Sequence, residues 1–217
     1  MENKPSRRRI FIVDDHPLVR EWLTNLISQQ PDLTVCGEAE SAPVARELIG
    51  EKKPDVAIVD LTLAEGSGFE VIKDIRFQSP KTAVIVLSMH DESLYAERAL
   101  RAGARGYVMK RETTKKIITA IRQVLEGKLF VSEKFAATIT ERLVEGKSDG
   151  GSPLEQLSDR ELEVFQMLGR GMQTRQIAES LHISMKTVQV YCARIKEKLG
   201  LGSAAELLRA AIRLQED

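Results

Sequence analysis

Asp14, Asp15, Asp60, Ser88 and Lys110 are the side chains of this 217-residue chain whose types and spacing could do chemistry together. Each follows a short apolar run. Residues 10–13 end in Asp14-Asp15, residues 56–59 in Asp60, residues 83–87 in Ser88 and residues 107–109 in Lys110. Runs this short, rich in β-branched side chains and flanked by polar residues, suit strands buried on both faces. In an open parallel sheet, ligands bind at the strands' C-terminal edge. Three carboxylates meeting in one crevice repel each other and need a cation. Oxygen-only ligands suit Mg²⁺. Lys110 can pair with the remaining charge, and Ser88 offers a hydroxyl donor. A carboxylate so placed can attack a phosphoryl group, because both cations neutralise charge developing on its oxygens.

The elements between these runs decide whether they meet. After a polar, frayed lead-in over residues 1–9, Leu18, Trp22, Leu23, Leu26 and Ile27 recur at helical spacing after Pro17. Residues 33–39 read as a second strand. Ser41 can cap a helix with Val44, Ala45, Leu48 and Ile49 inward. Gly66 and Gly68 loosen the loop before a helix carrying Phe69, Val71, Ile72 and Ile75. A helix over 93–102 closes at Gly103. Thr113 caps a last helix with Ile117, Ile118, Ile121, Val124 and Leu125, ending at Gly127. Five strands alternating with five helices imply an α/β fold over residues 1–127. Its five-stranded, doubly wound parallel sheet is flavodoxin-like, with right-handed crossovers.

Residues 128–152 read as a connector. Phe135, Ile139 and Leu143 mark one helical face, and 145–152 is a flexible linker by composition. Residues 153–217 form a small all-α domain of four helices. Ser158 and Glu161 have capping-box spacing. Leu162, Val164, Phe165 and Leu168 mark the first helix, and Ile177, Ala178 and Leu181 the second. Ser184 caps a third, with Val188, Tyr191, Ile195 and Leu199 toward the core. Ser203 caps a fourth through Leu207, Leu208, Ala211 and Ile212. The second and third, joined by a tight turn, make a helix-turn-helix.

Charge supports this division of labour. The chain's formal net charge is zero, so any nucleic-acid contact must come from a local patch. Residues 153–217 hold nine Lys and Arg against nine Asp and Glu. The third helix alone carries Lys186, Arg194, Lys196 and Lys198 against Glu197. Basic charge thus gathers on the element that would enter a major groove. Cys36 and Cys192 lie far apart and suggest neither disulfide framework nor zinc site. The run at 10–13 is too short for a signal peptide, and no segment reaches transmembrane length. The expectation is a soluble cytoplasmic protein with no membrane partner.

At this point the residues resemble a known family. Asp14-Asp15, Asp60, Ser88 and Lys110, in this order on these strand ends, look like the receiver domain of bacterial two-component response regulators. The resemblance implies that Asp60 is the phosphoacceptor and that Asp15 and Asp60 bind Mg²⁺ directly. It implies that Asp14 assists through water and Thr62 through its backbone carbonyl. Ser88 and Tyr107 match the switch pair, Tyr107 turning inward on phosphorylation, and Lys110 matches the phosphate-contacting lysine. Leu63-Ala64 stands where the family often has Met-Pro, which should loosen the loop and alter phosphoryl lifetime. Taken singly, Ser88 reads as a loop hydroxyl, Tyr107 as a half-buried core aromatic and His16 as a helix-start residue. His90 reads as a loop residue without a role.

Ser158-Asp159-Arg160-Glu161, Ile177-Ala178 and Ser184-Met185-Lys186-Thr187-Val188-Gln189-Val190 resemble the LuxR-type helix-turn-helix of NarL/FixJ regulators. The resemblance implies that Lys186 and Thr187 touch phosphate, with Arg194 a further phosphate contact, while Gln189, Val190 and Ala193 face base edges. The family often has Lys where Gln189 stands and His where Tyr191 stands. Its Asn-Lys-Glu before Ile-Ala is here Thr174-Arg175-Gln176. Glutamine can pair with adenine, so the expected base preference differs from that of lysine-bearing relatives. The expected partners are a sensor histidine kinase, double-stranded DNA and, on phosphorylation, a second copy of the chain. A phosphoaspartyl phosphatase or phosphotransferase is the rival from another class. It needs a second acid near the nucleophile, and the residue two after Asp60 is Thr62. A receiver used only for partner contacts, beside a constitutive DNA-binding domain, is a second rival, against which the intact acidic set argues.

Overall fold

The computed structural model describes residues 7–112, 114–144 and 153–216. The expected Thr113 cap, the 145–152 linker and most of the lead-in lie outside them. The chain divides into two compact units, Met1–Thr140 and Glu141–Asp217.

The first unit is a parallel sheet of β1 (Arg8–Val13), β2 (Leu33–Ala39), β3 (Val56–Val59), β4 (Ala83–Ser88) and β5 (Gly106–Met109), in the order β2-β1-β3-β4-β5. It alternates with α1 (Pro17–Ser28), α2 (Ala42–Lys52), α3 (Gly68–Gln78), α4 (Glu92–Ala102) and α5 (Thr114–Leu125). The doubly wound expectation holds. β3 sits in the middle of the order, and all four of its residues are buried. Alternation of side chains divides the apolar residues between two faces. Ile10, Ile12, Val56, Ile58, Ile85, Leu87 and Val108 pack with Leu23 and Ile27 of α1 and with the apolar stripe of α5. Phe11, Val13, Ala57, Val59, Val84, Val86 and Tyr107 fall on the face of α2, α3 and α4, and are buried as completely. β1 begins at Arg8, earlier than the expected frayed lead-in allows, because Arg9 N–H bonds the Asp55 carboxylate at 2.7 Å and Arg8 pairs with it at 3.1 Å.

The loop after β3 is not slack. Thr62 and Ser67 form an antiparallel bridge across it, and Leu63 is buried. Gly68, expected to loosen this loop, instead closes it. Its N–H bonds Leu61 O at 2.9 Å, and a Cβ there would stand 2.0 Å from Asp60 O. Gly66, at φ 82°, turns the chain where a Cβ would meet Ala42. Several expected faces differ. Leu18, Trp22, Val44, Leu208 and Ile212 are exposed, since each helix buries a stripe narrower than its full apolar set. Residues 128–140 belong to the first unit. Phe130 bridges Gly106, and its backbone exchanges hydrogen bonds with Arg105 and Tyr107 at 2.9 and 2.8 Å. α6 (Glu133–Val144) follows, with Phe135 buried.

The second unit contains a 3₁₀ turn, Pro153–Gln156, then α7 (Asp159–Gly169), α8 (Thr174–Ser180), α9 (Met185–Leu199) and α10 (Ala204–Glu216). α7 lies against α9 and α10. The expected capping box closes at both ends: Ser158 Oγ accepts from Glu161 N–H, and Glu161 Oε2 accepts from Ser158 N–H. Between α8 and α9, His182 takes the left-handed region at φ 52°, which turns the chain within three residues. Ser184 caps α9 through Thr187 N–H at 3.0 Å.

Gly68→Ala should force Asp60 O and Leu61 aside. The expected loss is about 1–3 kcal/mol of first-unit stability, read as a lower urea midpoint at unchanged slope.

Candidate functional site

Parallel pairing brings the acidic strand ends together. Val13 pairs with Val59, and Asp60 N–H bonds Val13 O at 2.8 Å, so Asp14 and Asp60 leave neighbouring strands side by side. Lys110 leaves β5, on the far side of β4, and its N–H bonds Ser88 O at 2.8 Å. Its Nζ lies 2.6 Å from Asp60 Oδ2 and 2.7 Å from Asp14 Oδ2. Asp14 is 1% exposed and Asp60 4%. Burial holds the Asp60 carboxyl above its ordinary pKa, outweighing the Lys110 charge, and Asp14 beside it adds to the rise. Burial alone would pull Lys110 down, but Asp60 and Asp14 hold it above the usual lysine value.

Asp14, Asp15, His16 and Asp60 can bring ligand atoms within 4.8 Å of one another. Asp15 Oδ1 is buried and accepts no hydrogen bond. His16 Nδ1 lies 2.7 Å away but is poorly aligned for one. His16 is also the N-cap of α1, as its position before Pro17 implies, and donates N–H to Asp14 Oδ1 at 2.9 Å. Three clustered carboxylates, two of them on Lys110 and the third with a buried oxygen that accepts no hydrogen bond, form a hard-oxygen set that fits a divalent cation.

Ser88 ends β4 and Tyr107 lies within the neighbouring β5, opposite Val86, both buried. Tyr107 is already inward. Its hydroxyl donates to His90 O at 3.0 Å, and burial drives the phenol well above its ordinary pKa. The expected inward turn therefore starts from a ring that is already in. His90, read as a loop residue without a role, is the residue the sequence reading missed. It is 7% exposed, its ring stacks on Tyr95 at 4.5 Å, and its Nε2 lies 2.9 Å from Thr62 Oγ1. Its N–H donates to Ser88 Oγ at 3.3 Å. His90 thus joins the loops after β3 and β4 to α4 and β5. A lone loop histidine carries no periodic signal; its position two residues past Ser88 is the one available cue.

In the second unit, α9 turns Val188 and Ile195 into the core. Tyr191 and Leu199 are only half-buried. Lys186, Gln189, Val190, Ala193 and Arg194 are exposed and Thr187 is half-buried, its hydroxyl 2.8 Å from Ser184 Oγ. Lys198 departs from the expected basic cluster. Its Nζ lies 2.6 Å from Glu161 Oε2, tying the end of α9 to the start of α7. Burial alone would raise Glu161, but the bonds from Lys198 and Ser158 hold it below its usual value. Among the described residues, no helix is long and apolar enough to cross a membrane.

Residues 10–122 match the response regulator receiver domain, and residues 155–211 match the bacterial regulatory proteins of the luxR family. The chain is a two-component response regulator with a LuxR-type DNA-binding domain. The regulator is 33% identical to the oxygen regulatory protein NreC of Staphylococcus aureus over 210 residues, covering 94% of this chain and 97% of NreC. A LuxR-family response regulator from an Aurantimonas species is 37% identical, with TM-score 0.59, over 64% of this chain and 99% of its own. RcsB of Salmonella enterica serovar Typhimurium, solved on promoter rprA with the phosphomimetic BeF3-, is 25% identical. Its TM-score is 0.62, over 94% of this chain and 98% of its own.

The raised Asp60 pKa carries a sign. The folded regulator holds that proton more tightly than the unfolded chain, so the stabilisation is present below 3.8 and lost as pH rises through the folded value. Ionised Asp60 therefore costs stability at neutral pH. In chelator-treated buffer, Asp60→Asn should raise Tm by a few degrees at pH 7, and the gain should shrink as pH falls toward 3.8. Melting curves of both proteins across pH check this.

Proposed function

We propose that a sensor histidine kinase, or a small acyl phosphate, phosphorylates Asp60. The phosphoryl state then controls sequence-specific binding of double-stranded DNA, and so transcription, in the cytoplasm. The observation that carries this reading is the half-buried Lys110 ammonium bridging the buried Asp60 and Asp14 carboxylates at the C-terminal sheet edge. An Asp60 oxygen forms the new bond to phosphorus while the donor's bond to phosphorus breaks, and the donor leaves with that electron pair. Asp14, Asp15 and Asp60 would hold Mg²⁺, with Thr62 supplying its carbonyl. When bound, the ion neutralises charge on the carboxylates and the transferred oxygens.

Lys110 then exchanges a carboxylate partner for a phosphoryl oxygen. Ser88 turns its hydroxyl toward the new charge and releases His90 N–H, which it now holds at 3.3 Å. His90 O carries the Tyr107 hydroxyl and its ring carries Tyr95, so that release reaches α4 and β5. The phosphoryl group biases an existing equilibrium rather than creating a new state. RcsB, solved on a promoter in the presence of the phosphomimetic BeF3-, supports DNA binding by the phosphoryl state here. Dimerisation, or release of the output domain, would set two α9 helices on half-sites about one DNA turn apart. Lys186, Thr187 and Arg194 would meet phosphates there, and Gln189, Val190 and Ala193 base edges.

Light scattering with Mg²⁺, before and after beryllofluoride, tests this reading. The expected result is a doubled mass and tighter DNA binding in wild type, with neither in Asp60→Asn. Equal DNA affinity in both proteins, with and without beryllofluoride, would overturn control through Asp60.

A further inference from the structure

The side of α9 turned away from the core is uncharged along its middle. Val188 and Ile195, fully buried, fix the inner side. At 100° per residue, Val190 and Ala193 lie near the centre of the opposite side, with Gln189 beside them. All three are exposed, Val190 at 43%. The helix's cations lie outside residues 189–193. Lys186 sits in the first turn, Arg194 at the flank, Lys196 is half-buried, and Lys198 is held by Glu161 at 2.6 Å. Thr187 Oγ1 is engaged with Ser184.

A single exposed valine is ordinary on a protein surface. This one stands between an amide and a methyl on the element that enters the groove. Guanine is read by Arg or Lys reaching O6 and N7, and cytosine by a carboxylate accepting from N4. Neither group stands among residues 189–193; Lys186 lies on the same line one turn before Val190, and Arg194 lies beside Ala193, as far from the centre as Gln189 but on the other flank. Glutamine matches adenine N6 and N7, and a small apolar side chain matches the thymine methyl.

We propose that α9 reads an A·T core in each half-site. Gln189 pairs with adenine, and the Val190 and Ala193 methyls rest on thymine 5-methyl groups. This rests on the DNA-binding reading above and goes beyond it by naming the bases and the apolar part of the contact.

The test uses the full chain with Mg²⁺ and beryllofluoride, first to select duplexes from a random pool. Each core thymine is then replaced by deoxyuridine, which keeps the pairing and removes only the methyl. The selected cores should be A·T. Wild type should bind the contacted uracil duplexes about three- to fivefold more weakly per methyl, the value of one buried methyl group. Val190→Ala, at an exposed position, should fold normally and keep its salt dependence while losing most of that penalty. G·C pairs at the core, or no penalty for uracil in wild type, would overturn the base assignment while leaving DNA binding intact. Failure to enrich any sequence would overturn the DNA-binding reading itself, and this inference with it.

Discussion

The Lys110 ammonium lies 2.6 Å from Asp60 and 2.7 Å from Asp14, and both carboxylates are buried. Bringing two carboxylates out of water to one sheet edge is costly unless a cation meets them. The topology supplies that cation. β1 and β3 are neighbours, which places Asp14 beside Asp60, and β5 sits beyond β4, so Lys110 must reach across a strand end. Gly68 seals the arrangement from below, its missing side chain leaving room for Asp60 O.

One ammonium does not balance three carboxylates. Burial still holds the Asp60 proton more tightly than an exposed aspartate would, and Asp15 keeps an oxygen that accepts no hydrogen bond. A site left short of positive charge gains most from a divalent cation, and then from an exchange of partners when charge is added. Ser88, His90 and Tyr107 lie one hydrogen bond apart in sequence, and His90 also touches Thr62 and Tyr95. A small shift at Ser88 therefore has a path of direct contacts to α4 and β5.

Much of this was legible in the residues. β3 is readable because a strand buried on both faces must be apolar throughout, and Asp60 is readable because it breaks that run. The helix-turn-helix shows itself through caps, Ser158 with Glu161 and Ser184 with Thr187, which are local in sequence. What was not legible depends on contacts between distant segments. Gly68 reads as loop freedom until Asp60 O appears beside it. Lys198 reads as groove charge until Glu161, 37 residues away, claims it. Phe130 reads as connector until its backbone joins the edge of β5. His90 has no periodicity at all. Its importance lies in its contacts with Thr62, Ser88, Tyr95 and Tyr107, which come from separate segments.

Peptide-level mass spectrometry of the full chain, after incubation with acetyl phosphate, tests the central claim most directly. The account predicts a single phosphoryl group, carried by Asp60, formed with Mg²⁺ and absent when the metal is chelated. A phosphoryl group on another residue, or a chain left unmodified in the presence of Mg²⁺, would contradict it.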